Sequence, residues 1–273
     1  MAVKYLYPFW GSESLSPQAF LNKVEEHAFD GIEINIPKNK SFIESFTALI
    51  EKKKNSDTSF VFVAQQVLGN QKETTEQYLE RVLDRLKTIA AFSPDFINSH
   101  TGKDYYSFSD NCKIIDAIEE FSVRHGIPIY HEMHRGRFTF HSEGTLRYLD
   151  MFPQIRFVAD FSHWCVVSES MLQDQEEVIK KITPNIAHIH ARVGSEQASQ
   201  VNNPFAPEWT YHLERYTSWW QDIIRHHDKK VLTITPEFGP IPYMPTAPFT
   251  NKVLADQESL NVEIRKHLKT NIK

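Results

Sequence analysis

Four apolar stretches of this chain each run into a residue that can bind a metal or move a proton. The stretch that ends at Ala159 leads into Asp160, and three others lead into Glu132, His190 and Glu237. An apolar run of β-type residues is typical of a buried strand, and a carboxylate at its end is costly to bury unless it is paired, hydrogen-bonded or bound to a metal. Such residues at four successive strand ends are hard to satisfy without a cation, so they predict a metal site.

Carboxylates and an imidazole together favour Mn²⁺, Mg²⁺, Co²⁺ or Zn²⁺, and the residues leave the choice among these open. A substrate that chelates such a cation through two adjacent oxygens would complete its coordination shell. The cation would then stabilise an enediolate as a Lewis acid while a carboxylate removes the neighbouring C–H proton.

Composition narrows the class of protein that carries these residues. The chain has 273 residues, of which 41% are hydrophobic, which is enough for one large core. Its net charge of -5 offers no global attraction to nucleic acid or to an anionic membrane. Cys112 and Cys165 are too few for a disulfide framework, and neither a signal peptide nor a membrane span is evident. We therefore expect a cytoplasmic protein that acts on small molecules.

The elements that must position the site repeat about every 30 residues as a strand followed by a helix, as in an α/β barrel. The remaining strands are predicted at residues 4–9, 31–37, 60–67 and 96–100, and helices at 17–27, 42–53, 110–125, 143–152, 176–182, 206–226 and 256–268, with another capped at Thr74. No glycine-rich nucleotide-binding motif is present. The pattern predicts one (β/α)8 TIM barrel domain over residues 1–273.

Alternation within the strands predicts which side chains face the barrel axis. Ile32 and Ile34 alternate with Glu33, and Leu232 and Ile234 alternate with threonines. In a barrel the apolar set faces the helices and the polar set faces the axis. The residues at the strand ends should therefore meet at the carboxyl-terminal mouth, where barrel enzymes have their sites.

With these residues in place, the whole chain resembles the xylose-isomerase-like barrels, the superfamily of sugar phosphate isomerases and epimerases. This superfamily includes tagatose and psicose epimerases, inosose dehydratases, hydroxypyruvate isomerases and zinc-dependent apurinic-site endonucleases. Residues 190–209 are also similar to a little-studied branch of sugar isomerases. In such proteins one divalent metal is held by Glu, Asp, His and Glu from strands five to eight. The matching positions here are Glu132, Asp160, His190 and Glu237.

The resemblance also implies roles for individual residues. Glu132 and Glu237 would be the acid/base pair on opposite sides of the bound carbon chain. If one removes a proton and the other returns it, the reaction is an epimerisation, whereas a single base that returns the proton to the next carbon gives an aldose–ketose isomerisation. His163, which follows Asp160 in an Asp-x-x-His pattern, and Arg192 resemble substrate contacts.

Other residues near the predicted mouth have a functional and a structural interpretation. His100 matches a metal ligand of the apurinic-site endonucleases, but in a one-metal relative it would line the pocket. His188 is one inward step deeper than the metal site and is expected to fill the axis. Tyr7, Trp10 and Trp164 could stack on a sugar face or pack at the barrel mouth.

Arginines follow two of the strand ends. Arg135 and Arg137 come after Glu132, and Arg192 comes after His190. Because the arginine fork suits carboxylate and phosphate, one hypothesis is a substrate with an anionic group, and the alternative is structural pairing with glutamates. The loops after strands seven and eight, where barrels often bind phosphate, contain few glycines, which favours a carboxylate or no anion.

Three alternatives to an isomerase or epimerase remain. A dehydratase of an inosose-like or shikimate-like substrate would use the same ligands, and a non-catalytic sugar-binding barrel would keep them without turnover. An apurinic-site endonuclease is disfavoured because residues 195–209 contain no Asp-x-His. The expected partner is a small sugar-like molecule, with no nucleic acid and no membrane, and a homo-oligomer is left open.

Overall fold

In the computed structural model, which describes residues 1–272, eight parallel strands close into one barrel in sequential order. The strands are β1 (Ala2–Pro8), β2 (Gly31–Ile34), β3 (Val61–Gln66), β4 (Phe96–Ser99), β5 (Ile129–Glu132), β6 (Phe157–Ala159), β7 (Ile186–Ala191) and β8 (Val231–Pro236). Strand β1 pairs with β8 as well as with β2, which closes the sheet. The prediction of a single α/β barrel is confirmed.

Helices surround the barrel. They are α1 (Pro17–Glu26), α2 (Lys40–Ser56), α3 (Thr75–Ala90), α4 (Phe108–His125), α5 (Ser142–Met151), α6 (Phe161–Ser168), α7 (Glu176–Ile182), α8 (Thr210–His226) and α9 (Gln257–Asn271). Helices α1 to α8 lie between consecutive strands, and α9 follows β8. Two short 3-10 turns lie at Thr183–Asn185 and Pro207–Trp209. None of the helices within residues 1–272 is long and apolar enough to cross a membrane.

Local sequence signals explain several helix ends. Ser16 caps α1 with Pro17 at its first position, and Thr74 and Gln77 form a reciprocal capping box at the start of α3. Helix α4 ends at Gly126, whose φ of 66° is in the left-handed region that favours glycine. These ends agree with the sequence pattern.

The main difference from the sequence prediction is helix α6, which begins directly after strand β6. The sequence pattern predicted no helix between Asp160 and the helix at residues 176–182. Asp160 is the residue that caps α6, because its Oδ1 accepts a hydrogen bond from the Ser162 backbone N–H at 3.1 Å. His163 consequently lies in the first turn of a helix.

Two apolar layers hold the structure together. The larger one lies between the helices and the outer face of the sheet, where Ile32, Ile34 and Ile234 are fully buried. The smaller one fills the barrel interior. On four consecutive strands an interior apolar residue is followed two positions later by a polar one: Val63 and Gln65, Phe96 and Asn98, Tyr130 and Glu132, Val158 and Asp160. The barrel is therefore apolar toward the amino ends of its strands and polar toward their carboxyl ends.

Candidate metal and active site

The four predicted metal ligands meet at the carboxyl-terminal end of the barrel. Glu132 ends β5, Asp160 directly follows β6, His190 lies near the end of β7, and Glu237 directly follows β8. One ligand atom from each of the four residues lies within 4.8 Å of the others, and all four side chains are buried. Parallel strands that end at one rim bring the side chains together although the residues are far apart in sequence.

The orientation of His190 fits a metal ligand. Its Nε2 lies 3.0 Å from Oε1 of Glu33, which fixes the ring from one side. Its Nδ1 lies 2.9 Å from Oε2 of Glu237 and 3.7 Å from Oε1 of Glu132. Within residues 1–272 this buried Nδ1 makes no hydrogen bond of acceptable geometry. A ring nitrogen that faces carboxylates while the other nitrogen is held by a carboxylate is the arrangement of metal-binding histidines.

Charge compensation inside the cluster is strong. Burial alone would raise the pKa of Glu132, but His100 and His190 hold that pKa well below its usual value. Burial alone would lower the pKa of His190, but the carboxylates of Glu237, Glu33 and Glu132 raise it well above its usual value. For Asp160 burial wins and raises the pKa, although the Arg192 guanidinium opposes it. The cluster thus favours a cation beside its carboxylates.

Arg192 is already paired inside the site. The guanidinium is almost completely buried, and its Nη2 donates to Oδ2 of Asp160. The same Nη2 lies 3.0 Å from Nε2 of His163, and Nη1 lies 3.7 Å from Oε2 of Glu237. Arg192 therefore neutralises carboxylates of the cluster as well as bordering the cavity.

The predicted histidine contacts have different positions. His100 borders the cavity, and its Nε2 lies 3.0 Å from Oε2 of Glu132. His163 is fully buried behind His134, with the two ring centroids 3.8 Å apart, and its Nε2 lies 3.6 Å from Oδ2 of Asp160. His100 can therefore contact a molecule in the cavity directly, whereas His163 contacts His134 and Asp160 instead.

A cavity of about 610 Å³ opens beside the cluster. Glu132 and Glu237 are the two members of the cluster that border it, and Arg192, Trp10 and Tyr243 form part of the wall around them. The Arg192 Cζ lies 4.9 Å from the Tyr243 ring centroid and 5.7 Å from that of Trp10, as in cation–π contacts. Beside this wall Glu132 is 2% and Glu237 is 6% exposed to solvent.

Other aromatic candidates do not border the cavity. Tyr7 packs on the helix side of β1, with its ring centroid 5.1 Å from that of Phe29. Trp164 is fully buried and donates from Nε1 to the Thr139 carbonyl at 2.7 Å. Of the three aromatic residues proposed for sugar stacking, Trp10 alone is in a position to stack.

The other two predicted arginines lie at the edge of the site. Arg137 stands behind His100, with its Nη2 3.5 Å from the His100 Nδ1. Arg135 lies with its Cζ 5.1 Å from the Tyr243 ring centroid. Neither residue makes a salt bridge within residues 1–272.

Comparison with known proteins identifies the fold. No protein-family model and no curated protein matches the chain. Among solved structures, the probable 3-DHS dehydratase AsbF of Bacillus anthracis is similar over 97% of this chain and 98% of its own, with a TM-score of 0.67 and 16% identity. A xylose isomerase-like TIM barrel protein from Mycobacterium smegmatis, in complex with magnesium, is similar over 99% and 98%, with a TM-score of 0.63 and 11% identity. The chain has the xylose isomerase-like TIM barrel fold.

A third structure with this xylose isomerase-like fold, the IOLI protein, contains a bound zinc atom. It is similar over 98% of this chain and 96% of its own, with a TM-score of 0.63 and 13% identity. Two of these three structures hold a divalent metal, zinc in one and magnesium in the other.

Glu33 is a site residue to which sequence reasoning assigned no role. It is almost completely buried on β2 and holds both His190 and His188, whose Nε2 lies 3.1 Å from the Glu33 Oε2. Donors to the same carboxylate also come from Gln65, Asn98 and Thr235. The sequence signal for Glu33 was its alternation with Ile32 and Ile34, which placed its side chain toward the barrel axis. His188, expected to fill the axis, is held between Glu33 and the Thr233 hydroxyl.

Proposed function

We propose that this chain is a divalent-metal-dependent isomerase or epimerase of a sugar or sugar derivative. One observation carries the proposal: of the four clustered residues, Glu132 and Glu237 also border the cavity, while Asp160 and His190 lie behind them. Two carboxylates thus face the space that a substrate would fill, and the other two residues complete a site for a cation. The fold is shared with enzymes, including a probable dehydratase.

Glu132, Asp160, His190 and Glu237 would hold one Mn²⁺, Mg²⁺, Co²⁺ or Zn²⁺ ion. When bound, such an ion supplies Lewis acidity to the substrate oxygens and so acidifies the neighbouring C–H bond. The chain itself provides the proton acceptor. His100 and His190 hold the pKa of Glu132 below its usual value despite its burial, so near neutral pH the carboxylate is in the ionised form that a proton acceptor requires.

The second carboxylate decides the outcome of the reaction. Glu237 can return a proton to the opposite face of the same carbon, which gives an epimer. If Glu132 instead returns the proton to the adjacent carbon, and the hydroxyl proton passes to the former carbonyl oxygen, the product is the isomer. Trp10 is placed to stack on the sugar face, and His100 can donate a hydrogen bond to a substrate oxygen or to Glu132.

The test is to measure deuterium uptake from solvent into free sugars, sugar phosphates and keto-acids with metal-loaded protein. General-base catalysis typically contributes a factor of about 10² to 10⁴, so Glu132→Gln or Glu237→Gln should lower exchange by at least that factor. Glutamine keeps one oxygen for the metal but cannot accept a proton near neutral pH. The matched control is Glu44→Gln, the same change at an exposed position of α2.

The outcomes separate the alternatives. Loss of exchange in both glutamine variants indicates an epimerase, and loss in one indicates an isomerase. A dehydrated product would replace this proposal by a dehydratase. Saturable sugar binding with no exchange on any substrate would show a non-catalytic barrel, and near wild-type turnover in both variants would refute the proton transfer.

Metal analysis tests the ligands separately from turnover. Asp160→Ala and His190→Ala each remove a ligand that a packed barrel cannot replace, so both variants should lose the bound ion. Full metal occupancy in both variants would overturn the ligand assignment.

A further inference from the structure

Part of the cavity wall is basic. Lys38, from the loop after β2, and Arg81 and Arg85, from helix α3, all border the cavity that also contains Glu132 and Glu237. The cavity therefore combines the acidic metal cluster with a group of cations from a different part of the barrel rim.

These cations differ in whether a carboxylate pairs with them. Arg81 is neutralised by Glu73, since its Nε donates to Oε2 at 2.9 Å. Arg85 donates from Nη2 to two neutral oxygens, the Asn35 Oδ1 and the Ile36 carbonyl, each at 2.8 Å. No carboxylate within residues 1–272 lies within 4.0 Å of the Arg85 guanidinium. Burial lowers the pKa of Arg85, and no acidic neighbour opposes that effect.

Two further cations stand behind the cavity wall. Lys103 is 3% exposed and donates to the neutral Oδ1 of Asn70 at 2.6 Å. Arg137 is 8% exposed, and its buried Nε makes no hydrogen bond within the described residues. Burial lowers the pKa of Lys103, and the like charge of Arg137 lowers it further, against an opposing contribution from Glu73. Buried charges are costly unless they are paired, and these two oppose each other.

Both buried cations are next to residues that border the cavity. Asn70, the partner of Lys103, follows Gly69, and Arg137 lies against His100. Their charges act through a wall of low dielectric, where electrostatic interactions are screened less than in water. Arg192, in contrast, already neutralises Asp160, so its charge is less available to a ligand.

We propose that the substrate carries an anionic group, a phosphate or a carboxylate, which Arg85 binds directly and which Lys103 and Arg137 attract from behind the wall. That the bound anion belongs to a substrate rests on the proposed function. It assigns the two ends of that substrate to different parts of the cavity: adjacent oxygens at the acidic cluster and the anion at Arg85.

The experiment measures anion binding to metal-free protein, because phosphate would otherwise bind the metal itself. Inorganic phosphate and acetate are titrated separately by calorimetry at low ionic strength. Wild-type protein should bind at least one of them saturably, and the anion bound more tightly identifies the group as phosphate or carboxylate. Charge-assisted hydrogen bonds are among the stronger ones, so Arg85→Gln should weaken binding by about tenfold or more.

The matched control is Lys87→Gln, which removes the same charge from an exposed position of α3 where Lys87 lies 3.2 Å from Asp84. It should leave anion binding unchanged. Lys103→Met should weaken binding less than Arg85→Gln, and Arg85→Lys should restore part of it, which separates charge from misfolding. Equal losses in Arg85→Gln and Lys87→Gln, or no saturable binding by wild type, would overturn the proposal.

The result is independent of the catalytic proposal. Anion binding without deuterium exchange on any substrate would leave the anion site standing and remove the proposed reaction. Deuterium exchange without anion binding would leave the proposed reaction standing and remove the anion site.

Discussion

The role of Glu33 can be tested by Glu33→Gln, which changes one buried carboxylate into an amide of the same shape. Glu33 accepts hydrogen bonds from five side chains: Gln65, Asn98, His188, His190 and Thr235. The glutamine amide keeps one acceptor oxygen, but an NH₂ group replaces the second carboxylate oxygen. The donors that faced that second oxygen then meet N–H groups and lose their acceptor. Each donor left unsatisfied costs about 1–3 kcal/mol. Removing one partner of a buried ionic network typically costs about 3–5 kcal/mol.

We therefore expect Glu33→Gln to lower the free energy of unfolding by about 3–5 kcal/mol. Because domains are typically stable by about 5–15 kcal/mol, the variant should still fold at room temperature. Metal affinity should fall about 10- to 100-fold, since Glu33 fixes the ring of the proposed ligand His190. Urea unfolding measures the first effect and competition with a chelator the second.

The pH dependence supplies a further check on the same variant. Burial alone would raise the pKa of Glu33, but His190 and His188 hold it well below its usual value. A depressed pKa stabilises the fold above the pKa of the unfolded state, about 4.3, and that stabilisation is lost as pH falls toward the folded value. The difference in unfolding free energy between wild type and Glu33→Gln should be full at neutral pH and shrink in acid. If Glu33→Gln matches Glu44→Gln in stability and metal affinity at pH 7, the assigned role of Glu33 is wrong.

Three other measurements follow from individual side chains. The surrounding carboxylates raise the pKa of His190 against the effect of burial, so metal binding should release a proton from this ring. Calorimetry should then show metal affinity increasing about tenfold per pH unit below that pKa. Equal metal affinity across pH 6–8 would contradict this prediction. Gly31→Ala should destabilise the barrel by about 1–3 kcal/mol or more in urea unfolding, because the new Cβ would lie 2.0 Å from the backbone oxygen of Val61, and an unchanged midpoint would contradict the close approach. Gly239→Ala should displace the Trp10 indole, whose nearest atom would lie 2.1 Å from the new Cβ, and so change tryptophan fluorescence and weaken sugar binding; an unchanged emission spectrum would place Trp10 elsewhere.

Much of the architecture could be predicted from the chain alone. Strand ends at Glu132, Asp160, His190 and Glu237 were visible because a buried strand needs a run of apolar residues and the polar residue that follows it interrupts the run. Alternation along β2 and β8 identified the inward faces, and the 30-residue repeat predicted a closed barrel. These signals are local, since each depends on residues within one element.

Helix α6 was not visible by the same reasoning. Its sequence, from Phe161 to Ser168, mixes five apolar residues with Ser162, His163 and Ser168 and shows no apolar stripe, so no local pattern marked it as a helix. The helix forms because Asp160 caps it and because Phe161 and Trp164, whose ring centroids lie 5.5 Å apart, are both buried. Tertiary burial, which no local pattern reports, decided that His163 would sit in a helix.

Pairing between distant residues was likewise decided by the tertiary structure. Sequence shows that Glu33 and Arg192 are polar and inward-facing, but 157 positions separate Glu33 from His190. Closure of β1 on β8 places β2 only three strands from β7, so Glu33 meets His190 inside the barrel, while Arg192 turns back onto Asp160. The sequence by itself determined which residue types end each strand; only the closed barrel decided which charges neutralise one another and which, such as Arg85, are left without a carboxylate partner among the described residues.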